Sequence, residues 1–362
     1  MQHVKYPSIE QFRNAITNVR NFTRYAGKDE QGNAIYNTDP LPVLKYTGTV
    51  KLHGTNAAVV VPVVNGVQGD MWCQSRERII TPTDDNAGFA SFVFTVKHLV
   101  LELFKDIMLK LPEEIDQEVR RLDEYNIGIY GEWCGGNIQG KVALNQLPKM
   151  FVIFGVKVGS SWLPKDVLKT IACPDTYAEH KIYNIYDFPT YEIEIDFNQP
   201  ELVQNKLIEL TMAVEEHCPV CKQLGVTDGI LTGEGIVFSP DDPKYAGSQF
   251  RFKSKGEKHQ NSKVKTIVAV DMEKVNSINE CVDRYLTETR LEQGIDKLRE
   301  LGLPCDNKST GDYIKWVVGD VIKEHGDEIL MSGLTFKEVS PKISGAAKNY
   351  YFDYLNKLAI GQ

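Results

Sequence analysis

The sequence has no apolar run approaching the roughly 18–20 residues of a membrane-spanning helix. Its opening stretch, MQHVKYPSIEQF, lacks the basic-then-apolar layout of a secretion signal. The expectation is a soluble protein retained in its compartment. There is no internal repeat and no low-complexity tract. Cysteine is sparse: seven, an odd number, scattered over 362 residues, which fits reduced thiols in a cytosolic setting rather than a disulfide framework. Cys218-Pro-Val-Cys221, with His217 beside it, is a lone CxxC. A zinc site needs four ligands and no second pair stands at suitable spacing, so these read as ordinary cysteines. Positive charge is also in deficit, at a formal net −8. That argues against non-specific nucleic-acid binding by the whole surface, but not against a local basic groove. One such run is present. RFKSKGEKHQNSKVK, 251–265, carries Arg251, Lys253, Lys255, Lys258, Lys263 and Lys265 against the single acid Glu257.

What remains is an ordinary globular composition, 42% hydrophobic, in a chain long enough for two domains of unequal size. Turn formers dominate 27–42 (GKDEQGNAIYNTDPLP), which reads as a loop or short hairpin. Strand-like pieces follow at 43–64, 69–75, 127–133, 149–159, 234–240 and 248–255. Helical spacing marks 89–111, 112–125 and 199–218. Beyond about residue 268 the pattern turns helical throughout. The expected organisation is an α+β domain over 1–265, then a helical domain over 266–362.

The stretch YTGTVKLHGTNAAVVV, 46–61, places Lys51-Leu-His53-Gly54-Thr-Asn56 between two strand-like pieces. A lysine and a histidine are costly there unless they have work to do. Three further segments set polar residues in strand-like contexts: Gly131-Glu132-Trp-Cys-Gly-Gly, Glu234-Gly-Ile-Val and Lys253-Ser-Lys255. Singly, each reads as a solvent-facing charge. Together, in the order Lys, Gly-Glu, Glu-Gly, Lys-x-Lys, they are what a covalent nucleotidyl transferase needs. A lysine amine attacks an α-phosphate only when neutral, and an unperturbed one is about 0.04% neutral at pH 7. Nearby cations, further lysines and a metal disfavour the charged form and release a nucleophile. The same lysines stabilise charge on the phosphate. Carboxylates supply the oxygen ligands that Mg²⁺ prefers, and the metal neutralises departing pyrophosphate.

Lys51-Leu-His-Gly-Thr-Asn resembles nucleotidyltransferase motif I in the KxHGTN form of the RNA ligase 2 family. That family of ATP-dependent RNA ligases includes phage double-strand RNA ligases and kinetoplastid RNA-editing ligases, within the covalent nucleotidyltransferase superfamily. DNA ligases and capping enzymes more often carry Asp where His53 stands. The likeness runs on in order to about residue 255. Cys73-Gln-Ser-Arg76 resembles motif Ia, Tyr130-Gly-Glu132 motif III, Phe151-Val-Ile-Phe154 motif IIIa, Glu234-Gly-Ile-Val motif IV and Lys253-Ser-Lys255 motif V.

The resemblance implies an ATP-grasp-like adenylyltransferase domain of antiparallel sheets flanked by helices; the C-terminal all-helical domain is expected from its periodicity alone. It implies that Lys51 carries AMP, that Lys253 and Lys255 grip the α-phosphate, and that Glu234 and Glu132 serve the metal, Mg²⁺ or Mn²⁺. Glu132 would also bond the ribose, Phe154 stack on adenine and Arg76 contact the nucleotide. His53 and Asn56 would act around the adenylate, and Gln139 matches a family glutamine. Alternation would put Arg78 on the face of Arg76; Arg76 is the preferred residue. The implied activity is ATP-dependent sealing of RNA 3′-OH and 5′-phosphate ends, above all nicks in duplex RNA, by a monomer in the cytoplasm, that of a host cell if the chain is phage- or virus-encoded. A DNA ligase, a capping-type guanylyltransferase and a catalytically idle nucleic-acid binder stand as alternatives. Segment 27–42 reads as an insertion: an inert surface loop, with a lid or an RNA-contacting hairpin as the other readings.

Overall fold

The structure, a computed structural model, describes residues 1–172, 174–256 and 278–359. It divides into two compact units, Met1–Gly256 and Glu257–Gln362. The expected boundary at 265/266 and the basic run from 257 onward lie outside the described residues.

The first unit begins with β1 (Glu10–Gln11), α1 (Phe12–Arg24) and a hairpin of β2 (Tyr25–Lys28) and β3 (Ala34–Tyr36). Then come β4 (Val43–Lys51), β5 (Thr55–Val64), β6 (Val67–Gln68), β7 (Trp72–Ser75) and β8 (Ile79–Ile80). Helices α2 (Phe89–Thr95), α3 (Lys97–Leu109) and α4 (Glu113–Val119) precede β9 (Glu124–Cys134), β10 (Met150–Val158) and β11 (Ser161–Trp162). Short helices α5 (Lys165–Leu168) and α6 (Pro174–Tyr177) lead to β12 (Ile182–Asn184) and β13 (Thr190–Asp196). Helices α7 (Gln204–Glu216) and α8 (Pro219–Gln223) then precede β14 (Gly235–Pro240) and β15 (Phe252–Lys255).

Two mixed, mainly antiparallel sheets result. One runs β1-β15-β14-β4-β13; the other runs β11-β10-β9-β5-β7-β8, with β12 on β10 and β6 on β5. Each buries one face under helices, as period-two alternation allows. In the larger sheet, Val59, Val61, Ile127, Ile129, Phe151 and Ile153 join Phe89, Leu99, Leu103, Phe104 and Val119 of α2–α4 in one core. In the smaller sheet, Tyr46, Phe238 and Phe252 form an aromatic stack with Phe12 of α1. On that same face Thr211 of α7 bonds Ser254 at 2.7 Å. The alternate residues of both sheets point away from these helices, and they include most of the candidate site.

Several expectations change in detail. The apolar stretch 89–111 is two helices broken at Val96. The stretch 112–125 is helical only to Val119, because β9 begins at Glu124. Strand β15 starts at Phe252, with a 3₁₀ turn over Ser248–Phe250 before it. Segment 27–42 contributes one arm and the tip of the β2–β3 hairpin. Among the described residues, no helix is long and apolar enough to cross a membrane.

Among the described residues, the second unit has four α-helices: α9 (Ile278–Tyr285), α10 (Glu288–Glu300), α11 (Thr310–Met331) and α12 (Phe336–Ala359). Tyr285, Leu298, Tyr313, Val317, Val321, Ile343 and Tyr351 fill its core. Arg290 is fully buried there. It pairs with Asp320 at 2.8 Å and Glu324 at 3.1 Å, and donates to the Tyr285 carbonyl. A buried cation is tolerable only with such partners, and breaking the set leaves uncompensated charge. Arg290→Leu should therefore destabilise the helical unit by about 3 kcal/mol. Urea unfolding of the full chain, followed by far-UV circular dichroism, checks this; an unshifted midpoint would contradict it.

Candidate active site

Strands β4 and β5 do not pair with each other. Lys51 ends β4 in the smaller sheet, and Thr55 starts β5 in the larger one. Leu52-His53-Gly54 is thus a crossover between sheets rather than a hairpin turn. The Gly54 backbone is not in the left-handed region. Its need is close packing: a Cβ there would lie 2.4 Å from the Trp133 carbonyl oxygen and 2.7 Å from Cys134 Cβ. This closeness lets the Gly54 N–H donate to Glu132 Oε1 at 3.0 Å, tying the crossover to β9.

On the smaller sheet, Lys51 stands opposite Gly235, which stands opposite Lys255. One rung along, Thr49, Val237 and Lys253 align in the same way. All three lysines therefore share the helix-free face. Gly235 sits between two of them with φ +152°, where a Cβ would come within 2.0 Å of the Ser254 carbonyl oxygen. The gap between Lys51 and Lys255 thus holds no side chain from β14. Glu234, just before that strand, fills its base. Its side chain is only 2% exposed, with Oε2 2.6 Å from Lys51 Nζ and 3.3 Å from His53 Nδ1, and Oε1 3.2 Å from Lys255 Nζ. Burial alone would push this carboxyl up. The neighbouring Lys51, Lys255 and His53 override that and hold it well below the usual carboxylate range.

On the helix-free face of the larger sheet, Asn56, Glu132 and Val152 stand in one register across β5, β9 and β10. Phe154 lies at the bulge between Ile153 and Gly155. It is half-buried and outside the hydrophobic cluster that takes Phe151 and Ile153. Its ring meets Tyr6 edge-on, with centroids 5.0 Å apart. Contacts link the two helix-free faces: Arg251 Nη1 donates to Tyr6 Oη at 3.2 Å, and Lys165 donates to Thr47 Oγ1 at 2.9 Å.

Arg76 and Arg78 are not related by strand alternation, because β7 ends at Ser75 and a turn follows, with Ser75 N–H donating to the Arg78 carbonyl at 2.8 Å. Arg78 braces the next loop through Asp84 and the Asp84 and Asp85 carbonyls. The Arg76 side chain is 42% exposed, with Glu77 at 3.9 Å. Gln139 is half-buried in the loop after β9, and the structure does not bring it to Glu234. Lys51, His53, Glu234 and Lys255 thus form one contact network. Lys253 is a rung away, and Asn56, Glu132 and Phe154 belong to the other sheet. Cys218 and Cys221 are both buried at the start of α8.

The RNA ligase family model matches residues 44–255, more than half of the sequence. The chain belongs to the RNA ligase family. The matched span of this RNA ligase family member runs from β4 to the end of β15 and carries every residue of the site. No curated protein matches the sequence. Solved structures of mutant Naegleria gruberi RNA ligase are similar at low level. One with AMP and Mn is 13% identical with a TM-score of 0.40, over 70% of this chain and 56% of that one. Another with ATP and Mn is 14% identical with a TM-score of 0.39, over 70% and 57%. This chain therefore spans little more than half the length of those proteins.

Sequence reasoning missed Tyr6 and the N-terminal segment around it, where Val4 N–H donates to Gln74 Oε1 and Tyr130 Oη donates to the Val4 carbonyl. No charge or spacing pattern marks that segment. The depressed Glu234 carboxyl gives a signed prediction. Its contribution to stability is complete above the ordinary carboxylate value of 4.5 and is lost only as pH falls below it towards the folded-state value. Glu234→Gln should be less stable than the native chain near neutral pH, with the gap shrinking as pH is lowered from about 6 to about 3. Thermal denaturation across that range measures it, and a gap that does not change with pH would contradict it.

Proposed function

We propose that this chain is an ATP-dependent RNA ligase of the RNA ligase 2 type, joining RNA 3′-OH and 5′-phosphate ends. One observation carries the reading: Lys51, Lys253 and Lys255 share one face around a buried, ionised Glu234, inside the span matched by the RNA ligase family.

Lys51 Nζ is the nucleophile. It bonds to the α-phosphorus of ATP as the bond to the β-phosphate oxygen breaks, so pyrophosphate leaves and the amine loses a proton. Its present partner is the Glu234 carboxylate at 2.6 Å, so attack requires that ion pair to open. AMP then passes from Lys51 to an RNA 5′-phosphate. Finally a 3′-OH attacks that phosphate, AMP departs and the strand is sealed. Lys253 and Lys255 stabilise charge on the α-phosphate. Glu132, Asn56 and Phe154 hold the nucleoside, with Phe154 against the adenine face. His53 and Arg76 act around the phosphate and the RNA end, and Gln139 lies at the margin of the site.

A divalent ion fits the donor set. Among the described residues no three His, Cys, Asp or Glu side chains converge, but Mg²⁺ binds through one or two carboxylates plus substrate phosphates and water. Glu234 and Glu132 offer those hard oxygens. When bound, the ion would neutralise charge on the phosphates and the leaving pyrophosphate.

Duplex RNA with a single nick is the preferred substrate in this reading, and a ribose 2′-OH near the 3′ end is the group that separates RNA from DNA. A sealing panel with RNA or DNA on each side of a nick, with ATP or GTP, tests it. ATP-dependent sealing with RNA at the 3′-OH side is expected. Equal sealing of all-DNA nicks, or a GTP requirement, would overturn the substrate or nucleotide assignment. Lys253→Ala and Lys255→Ala should each slow enzyme adenylylation by about two orders of magnitude; near-normal rates would remove them from the site. Phe154→Ala should raise the ATP concentration needed for half-maximal rate. An unaltered requirement would return this ring to the core.

A further inference from the structure

The β2–β3 hairpin is a two-stranded ribbon with exposure on both faces. Its large side chains lie open to solvent: Tyr25 is 50% exposed, Ile35 45% and Tyr36 51%. Isolated two-stranded ribbons are marginal in water, and aromatic rings spread on one are unfavourable unless something covers them. Register places the rings on one side. Tyr25 pairs with Tyr36, and Lys28 pairs with Ala34, two residues from Tyr36. Tyr25, Tyr36 and Lys28 therefore share a face, and the two rings meet at 6.2 Å between centroids.

Charge points the same way. From Phe12 to Lys28 the chain carries Arg13, Arg20, Arg24 and Lys28 and no acid, within a protein of net charge −8. The nearest acids of the hairpin are Asp29 and Glu30 at its tip. The Asn33 amide and the N–H groups of Asn33 and Gln31 donate to the Asp29 carboxylate, which lowers its pKa and keeps it charged at the tip, beyond the two rings. Arg24 Nε donates to the Asp39 carbonyl rather than to a carboxylate.

Position links this arm to the site. Gln11 of β1 pairs with Lys253, and α1 begins at the next residue. Its 13 residues run about 20 Å, at 1.5 Å per residue, over the helix-covered face of the smaller sheet, with Phe12 on Phe252 and Phe22 on Phe250, and end at the hairpin.

We propose that the hairpin face of Tyr25, Tyr36 and Lys28, with the arginines of α1 beside it, docks an unpaired stretch of the RNA substrate that flanks the nicked duplex. The proposal rests on the reading of the chain as an RNA ligase and adds where the substrate extends beyond the nucleotide site. Exposed rings accept unpaired bases without sequence preference, and flanking cations follow the backbone. Of the three readings of segment 27–42, this selects the RNA-contacting hairpin.

Fluorescence anisotropy with a labelled single-stranded RNA 12-mer, run beside AMP labelling of the enzyme by radioactive ATP, tests it. Tyr25→Leu/Tyr36→Leu keeps an apolar hairpin but removes the ring faces, and should weaken RNA binding at least about fivefold. Tyr25→Phe/Tyr36→Phe keeps the rings and should bind like the native chain. Arg20→Gln/Lys28→Gln should lower the slope of log affinity against log salt by about 1.4, or 0.7 per lost cation. AMP labelling should be equal in all of them. Normal labelling with Leu variants that bind RNA as tightly as the native chain would overturn the docking proposal alone, and would leave the patch to a protein partner. Absence of AMP labelling in the native chain would overturn the ligase reading and this proposal with it.

Discussion

A carboxylate removed from water must either neutralise itself or gather positive partners, and Glu234 has gathered three basic side chains. Its two oxygens face Lys51, His53 and Lys255, which reach it from three separate segments of the chain. Lys51 comes from the end of β4, His53 from the crossover and Lys255 from the end of β15. The two lysines are brought close by antiparallel register on either side of Gly235. The fold of the first unit can be read as the apparatus that holds this set: two sheets with helices on their outer faces, joined where the chain passes from one to the other. The arrangement also sets a condition on the chemistry. In the proposed adenylyl transfer, Lys51 attacks only after it leaves the carboxylate that now holds it.

Much of this site was legible in the sequence because its chemistry is local. Lys51-Leu-His-Gly, Glu234-Gly and Lys253-Ser-Lys255 keep their polar residues two or three apart on strands, so alternation alone puts Lys253 and Lys255 on one face. The strand alternation of 149–159 likewise turns Phe154 away from Phe151 and Ile153. What could not be read was pairing. Lys51 and Lys255 are 204 positions apart by number, and only the sheet order shows that Gly235 lies between them. Nor does the sequence show that Leu52–Gly54 passes between sheets, since only the pairing assigns β4 and β5 to different ones. Arg76 and Arg78 were compared by alternation across a point where the strand has already ended.

Helix α1 and strand β13 were not recognised in the sequence at all. The apolar positions of α1, Phe12, Ala15, Ile16 and Val19, do follow helical spacing, but the segment is short, lacks a side-chain cap and ends directly in a hairpin. Strand β13, at a sheet edge, does alternate exposed Glu192 and Glu194 with buried Ile193 and Ile195, so its period of two was present in the sequence and went unread. Tyr6 carries no local signal, because its role comes from meeting Phe154, Tyr130 and Trp162. In the second unit the helical periodicity was plain, while the burial of Arg290 with Asp320 and Glu324 depends on contacts between α10 and α11 that no spacing rule supplies.

The proposed ligation depends on Lys51 Nζ as the atom that carries AMP. The direct measurement is peptide mass spectrometry of the purified chain after incubation with ATP and Mg²⁺. An adduct of one AMP on the peptide containing Lys51, released by added pyrophosphate and missing in Lys51→Ala, is the predicted result. No adduct on the native chain, or one that persists at another residue when Lys51 is replaced, would contradict it.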